Sequence, residues 1–575
     1  MSADGKPGER QRRLSRKEIA LAELGRTAVS RPVAWAIACA FVGAIFSVSI
    51  AQHVHEVAAH LAGRRDSPLP GCLGIFISGP RAVASARAKP GPLGGLRGRN
   101  AALMREIDRY EDALEADSVV AGALIGPAQA VLTGRLGAGN EQAYVGRDGW
   151  LFYRPGVDYL TAPGFLEPAW LARRGEEGDE WTPPPQPDPR KAILQFHGQL
   201  AARGIRLIIV PAPAKAAIHP EKFSARCDGS EAPRNPSQGQ FKRELAAAGV
   251  LVFDPAEALL AAKRRTAQPQ FLENDTHWRP EAMELVAEAL KAFIDERVKL
   301  PPAPPAGYKR DAAEIANLGD IAVMLNLPKG QTIYRPQKVR IHQVLTKRHE
   351  LWSPSRSADV LVLGDSFANV YSLETMGWGD SAGLIEQLSF VMQRPLDRIA
   401  RNDDGAFATR LTLSRRLARG HDRLAGKRLV IWQFAARELA FGDWRLLPMT
   451  LGKAGDRRLI VPQSGGEMVV SGTIAAISAA PKPARVPYRD HILAVHVTDL
   501  EGEKGPIPDA EAVVYMWSMR EKVLTPAARY RPGRRIRLRL RPWGDLGETF
   551  RKINRSELDD EGLTLEEPCW GEEVK

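Results

Sequence analysis

Cysteine is scarce in this chain, with four in 575 residues: Cys39, Cys72, Cys227 and Cys569. None pairs as Cys-x-x-Cys, which argues against a zinc ribbon or a thioredoxin-type redox site. Cys39 lies in an apolar stretch, so the other three can form at most one disulfide, and spacing does not say which. Internal repeats are lacking. Charge of one sign is in only modest excess, since 80 Lys and Arg against 68 Asp and Glu leave +12. Much of that surplus lies in the first fifty residues and near the C-terminus, and no nucleic-acid-reading motif accompanies it. Nucleic acid is therefore not an expected partner.

A long hydrophobic run occurs near the N-terminus. Residues 33–51 form an uncharged, mainly apolar stretch, close to the minimum for crossing a bilayer core of ~30 Å. Arg10, Arg12, Arg13, Arg16, Lys17, Arg26 and Arg31 precede it, so the positive-inside tendency keeps 1–32 in the cytoplasm and exports the rest. A cleaved signal peptide is the rival reading, but Gln52-His53-Val54-His55-Glu56-Val57 does not resemble a small-x-small cleavage site. The expectation is a single-pass protein of the inner membrane with its C-terminal bulk in the periplasm. Just beyond the run, His55 and His60 flank Glu56 but stand five apart. Two histidines need a spacing of four to share a helix face and a metal, so a solvated stem is expected here, without metal or cofactor.

The length calls for more than one folded unit. Residues 52–100 read as a stem, irregular and rich in Pro, Gly and Arg from Ser67 to Arg99. Leu103, Ile107, Tyr110 and Leu114 then recur at helical spacing. Proline-rich breaks fall at 175–189 and 301–305. Around them helices (193–202, 241–248, 280–298) alternate with strands (205–210, 250–253, 360–363, 396–400, 428–432). This alternation predicts an α/β domain over 101–450, with a mostly parallel sheet covered on both faces. Strands then dominate 451–575, at 468–477, 491–497, 512–519 and 534–540. They predict a small C-terminal all-β unit, an OB-like barrel being the first choice.

Two short stretches carry chemistry. Gly364-Asp365-Ser366-Phe367 follows the apolar Val360-Leu361-Val362-Leu363, and a serine at the C-terminal end of a buried parallel strand sits where such sheets place ligands. Asp275-Thr276-His277-Trp278 supplies a carboxylate and an imidazole two residues apart. Serine needs a base within hydrogen-bond reach, histidine suits the working pH, and a carboxylate fixes the imidazole tautomer. Ser366, His277 and Asp275 fill these roles, and Asp365 is an alternative carboxylate whose side chain is expected to point elsewhere. The Ser366 N–H is one expected oxyanion donor, and Asn402, after the next strand, is a second. The competing reading is structural: Gly-Asp-Ser is common in turns, and Asp-x-His can cap a helix.

Gly-Asp-Ser after a parallel strand resembles the first block of the SGNH hydrolases. The order, Asp-x-His first and Ser later, departs from their usual one and is similar to the permuted SGNH-like domain of the alginate O-acetyltransferase AlgJ/AlgX family. Further matching stretches are Gly146-Arg147-Asp148-Gly149-Trp150-Leu151-Phe152-Tyr153, Val210-Pro211-Ala212-Pro213-Ala214-Lys215, and Ile431-Trp432-Gln433-Phe434 with Arg437. The resemblance spans about 103–439. It implies the same triad, and transfer of acetyl groups to hydroxyls of a secreted polysaccharide through an acetyl-serine intermediate. It also implies a membrane-bound O-acyltransferase partner as the acetyl donor. Lys215, Tyr371 and Arg437 become candidates for contacts to substrate or oxyanion, against ordinary structural roles. Nothing in the C-terminal unit points to alginate in particular. There Arg535, Arg537, Arg539 and Arg541 alternate with apolar residues, which puts them on one strand face. That face could hold an anionic polymer or be paired with acidic neighbours. Two other functions use the same residues: a carbohydrate acetylesterase with this triad, and a non-catalytic glycan-binding scaffold.

Overall fold

The computed structural model describes residues 30–61, 70–84, 94–177, 184–229, 232–402, 405–418, 420–452, 458–481, 483, 486, 488–503, 505–508, 510–547, 550, 553–558, 563 and 567–574. The chain divides into two compact units, Met1–Gly74 with Asp117–Gly122, and the remainder. In the first, a single helix runs from Arg31 to Leu61 with Trp35, Phe41, Ile45 and Phe46 exposed. It continues ten residues past the apolar run, because 52–61 contains no glycine or proline to stop it. Glu56 is thereby helical, and it accepts hydrogen bonds from the Gly71 N–H at 2.6 Å and the Gln52 amide at 3.1 Å. Among the described residues two helices are long and apolar enough to cross a membrane, Arg31–Leu61 and Val119–Leu136. Where it is described, the stretch expected to be irregular over 67–99 holds the helix Ile75–Ala84 and the start of the helix Gly94–Asp117.

In the second unit five parallel strands form one sheet. Its order is Leu251–Val252, Arg206–Ala212, Leu429–Ala435, Val360–Gly364, Asp397–Ala400. Alternation along each strand feeds two cores. Val360 and Val362 pack on one face with Trp278, Met283 and Leu290; Leu361 and Leu363 pack on the other with Phe196, Trp432 and Trp444. Helices Pro189–Ala201 and Gln238–Ala247 begin and end near the predicted positions, each closed by a glycine in a left-handed conformation, Gly204 and Gly249. A long antiparallel hairpin, Lys309–Asn317 with Gln337–Leu345, had no clear sequence signal. It is inserted between the histidine stretch and the serine strand.

The C-terminal strands close on themselves. Met468–Ile477, His491–Gly502, Ala510–Arg520, Arg535–Pro542 and Cys569–Glu573 pair in the cyclic order first, second, third, fifth, fourth, first. The third and fifth are parallel and the other pairs antiparallel. The arginines of the fourth strand do share its outer face, but that face is largely neutralised. Arg535 pairs with Glu501, Arg539 with Glu467 at 3.6 Å, and Arg541 with Glu572 at 2.9 Å. A solvated, acid-paired sheet face is therefore what the alternation encodes.

Candidate active site

Ser366 opens a four-residue helix directly after the Val360–Gly364 strand. A Cβ at Gly364 would lie 2.6 Å from that of Ala368, so only glycine lets the helix fold back this closely. Asp365 fixes the turn. Its Oδ1 accepts from the Phe367 N–H at 2.9 Å and the Gln433 amide at 2.7 Å, and its Oδ2 accepts from the Ala435 N–H. That carboxylate is fully engaged with the neighbouring strand. Ser366 itself is partly exposed, its hydroxyl makes no hydrogen bond among the described residues, and its N–H has no intrahelical partner.

The histidine stretch lies in the loop closed by the Phe271–Trp278 bridge, just ahead of the helix Pro280–Arg297. Asp275 Oδ1 accepts from both the backbone N–H and Nδ1 of His277, at 3.0 and 2.7 Å. Its Oδ2 accepts from the Trp378 indole and the Asp320 N–H, both at 2.9 Å. Nε2 of His277 is buried and has no partner among the described residues. The Phe367 ring, next in chain to Ser366, packs edge-on against the imidazole with centroids 4.8 Å apart. The turn that carries Ser366 thus meets, through the Phe367 ring, an imidazole whose outer nitrogen is unused.

Electrostatics favour the charge separation that such a pair needs. Burial works to raise the Asp275 carboxyl, but the imidazole, the indole and the N–H donors override it and hold it well below the usual range. Burial pulls His277 down, yet the Asp275 charge, with Asp320 and Asp365 behind it, raises it above its ordinary value. Asp320 has its Oδ2 3.7 Å from Nδ1 of His277, and burial followed by the Asp275 charge pushes it up to about 6. Asp275, His277 and Asp320 could offer ligand atoms to one cation. Both Asp275 oxygens already accept from N–H groups, however, an environment built for a bare carboxylate.

The expected contact residues divide. Lys215 and Arg437 share a small cleft with Phe152, Tyr153, Thr276 and Phe367. The buried Lys215 amine donates to the carbonyls of Leu151 and Glu273 at 2.6 and 3.0 Å, and burial lowers it to about 7. The Arg437 guanidinium lies over the Tyr153 ring at 5.0 Å. Tyr371 is fully buried and its hydroxyl donates to the Trp278 carbonyl at 2.7 Å, bracing the histidine stretch. The Asn402 amide donates to Asn554 at 2.7 Å, and its carbonyl accepts from Asn369 at 2.9 Å. Trp378 and Asp320 were missed. A Gly-Trp-Gly and a Gly-Asp in an inserted segment carry no local mark of where they dock. Gly319, at φ +96°, is the one trace, since a Cβ there would meet the Asn274 carbonyl at 2.5 Å.

Two results test this arrangement. The base form of His277 accumulates above its raised value, so kcat/KM should climb on a limb above the ordinary histidine position (~6.5). Asp320→Asn should move that limb to lower pH. Stability runs the opposite way: the histidine's contribution is complete below the unfolded value and fades as pH rises through the folded one. Tyr371→Phe should lower unfolding stability by about 1 kcal/mol, leaving KM unchanged, as a buried brace would; a raised KM with unchanged stability would restore the substrate contact.

An inner parallel strand ending in Gly-Asp-Ser, with the next residue's ring packed on the imidazole of an Asp-His pair, fits an SGNH hydrolase-like domain. The chain belongs to the family described as SGNH hydrolase-like domain, acetyltransferase AlgX, whose model matches residues 143–436, just over half its length. It is 29% identical over 209 residues to a probable alginate O-acetylase AlgJ of Pseudomonas aeruginosa, covering 35% of this chain and 46% of that protein. It is 32% identical over 191 residues to the probable alginate O-acetylase AlgJ of Pseudomonas syringae pv. tomato, covering 33% and 42%. The chain thus spans less than half the length of either relative. Among solved structures, the O-acetyltransferase domain of Pseudomonas putida AlgJ aligns at 21% identity and a TM-score of 0.39, over 52% of this chain and 92% of that one.

Proposed function

We propose that this protein is an O-acetyltransferase that esterifies hydroxyls of a secreted polysaccharide through an acetyl-Ser366 intermediate. The observation that carries the reading is the buried Asp275–His277 pair, with Nε2 unpartnered beside the residue that follows Ser366. Ser366 Oγ attacks the acetyl carbonyl of a donor while Nε2 of His277 takes its proton. Asp275 holds the imidazolium, and the Ser366 N–H at the helix start faces the developing oxyanion. The donor's leaving group departs with the proton from His277. A sugar hydroxyl then gives its proton to the same nitrogen and takes the acetyl group, restoring the serine. Arg437 and Lys215 line the cleft beside this point, Arg437 at its more open side.

The apolar helix Arg31–Leu61, with its basic flank, is the proposed anchor in the inner membrane, crossing at 33–51 and leaving the bulk of the chain in the periplasm. A membrane-bound O-acyltransferase is the proposed acetyl source, and the C-terminal ring of strands is proposed to be an OB-like barrel. The assay offers the detergent-solubilised full chain a chromogenic acetate and an oligosaccharide, and follows the sugar by mass spectrometry. Acetylated sugar is the expected product. Free acetate alone, at the same rate with and without sugar, would make the protein an esterase.

A further inference from the structure

The helix Val119–Leu136 is built inside out. A surface helix ordinarily buries an apolar stripe and turns its polar residues to water. Here the side that meets the protein is small and polar. A Cβ at Gly126 would lie 3.4 Å from Pro328, and one at Gly134 would lie 3.3 Å from Ile333. Gln129 and Thr133 are buried; their side chains bond each other at 2.8 Å and donate to the carbonyls of Gly139 and Ala138. The Asn140 amide, just past the helix, donates to the Met324 carbonyl at 2.8 Å. With ~3.6 residues per turn, Leu124, Ile125, Val131, Leu132 and Leu136 share the opposite side, and they are between 40 and 71% exposed.

Single exposed leucines are ordinary, but a continuous apolar side on one helix marks a surface that something covers. Charge indicates what. Residues 118–140 and 321–340 contain no Asp or Glu. Arg135 in the last turn, Lys329 beside Pro328 and Arg335 beyond Ile333 are exposed, and none has an acidic partner among the described residues. Apolar residues bordered by unpaired cations match acyl chains beneath anionic headgroups. The helix has 18 residues and so is ~27 Å long, short of a bilayer core of ~30 Å. Its other side is bonded to the folded domain. Such a helix lies along a membrane and does not cross it.

We propose that the outward side of Val119–Leu136 lies in the surface of an anionic bilayer, its leucines among the acyl chains and Arg135 reaching back to the phosphates. The docking rests on the proposed anchor only to bring the chain to a membrane. The segment bearing Pro328 and Ile333 also bears Asp320, whose N–H donates to Asp275 at 2.9 Å, so the docked side is joined to the catalytic pair. For the test, the full chain, with the exposed Cys39, Cys72 and Cys227 replaced by serine, is reconstituted into vesicles of phosphatidylethanolamine and phosphatidylglycerol. A polarity-sensitive label is placed at Leu124→Cys, Leu132→Cys or Leu136→Cys, or at the exposed Glu257→Cys as control, and is quenched by lipids brominated at graded depths. The three helix labels should share one depth, ~5–10 Å into the headgroup–acyl boundary, with the control label in water. Alkaline extraction of the same vesicles reads the anchor separately. Protein released by alkali, after helix labels at that shared depth, keeps the docking and removes the anchor. Protein retained, with helix labels matching the control, overturns the docking and leaves the anchor standing. Unequal depths also overturn it, since Leu124 and Leu136 of a spanning helix stand ~18 Å apart along the axis. So do helix labels sheltered from an aqueous quencher yet untouched by brominated lipid, because protein then covers the face.

Discussion

Ser366→Ala should abolish acetyl transfer, lowering kcat by at least ~10⁴-fold, because the covalent intermediate can no longer form. The same change should shift unfolding stability by no more than about 0.5 kcal/mol, since the partly exposed hydroxyl holds nothing in place. That combination separates a nucleophile from a structural turn residue. A serine that merely shaped the Gly-Asp-Ser turn would lose stability and activity together. Here Asp365 carries the turn through Phe367, Gln433 and Ala435, so the serine is free of that task. Rate and melting temperature measured on the same preparation decide between the two.

Asp275→Asn should be nearly as damaging to rate, by ~10⁴-fold, and far more damaging to stability. The carboxylate accepts from four N–H groups: the backbone and Nδ1 of His277, the Trp378 indole and the Asp320 backbone. An amide must turn its own N–H₂ toward some of these donors, at a cost of about 3 kcal/mol. The imidazole also loses the charge that raises it, so the rising limb of any residual activity should fall to lower pH. Trp378→Phe makes a graded comparison, removing one donor and leaving the charge; a loss of ~10-fold is expected. Equal losses in the two variants would mean that packing, not the carboxylate charge, governs the site.

The parts of this site legible in the sequence are those encoded locally. Val360–Gly364 reads as a buried strand because both faces are covered, and a serine at its end follows from chain order alone. Asp275 and His277 are two residues apart, so one loop conformation lets the carboxylate reach both the imidazole and its backbone. What escaped was assembled by docking of distant segments. Asp320 and Trp378 reach Asp275 from an inserted hairpin and the loop after the serine helix. Asn402 was read from its place after the next strand and Tyr371 with the family resemblance, but their side chains bond Asn554 and the Trp278 carbonyl. The fifth barrel strand, Cys569–Glu573, is too short and acidic to stand out, though it completes the ring.

The central claim is a covalent one, and trapping tests it most directly. Full-length protein incubated with a chromogenic acetate, quenched in acid and digested, should yield one acetylated peptide, carrying the ester on Ser366. The Ser366→Ala protein should carry none, and adding an acceptor sugar should discharge the ester. Continued acetyl transfer by the alanine variant, or an ester formed on another residue with Ser366 unmodified, would contradict the account.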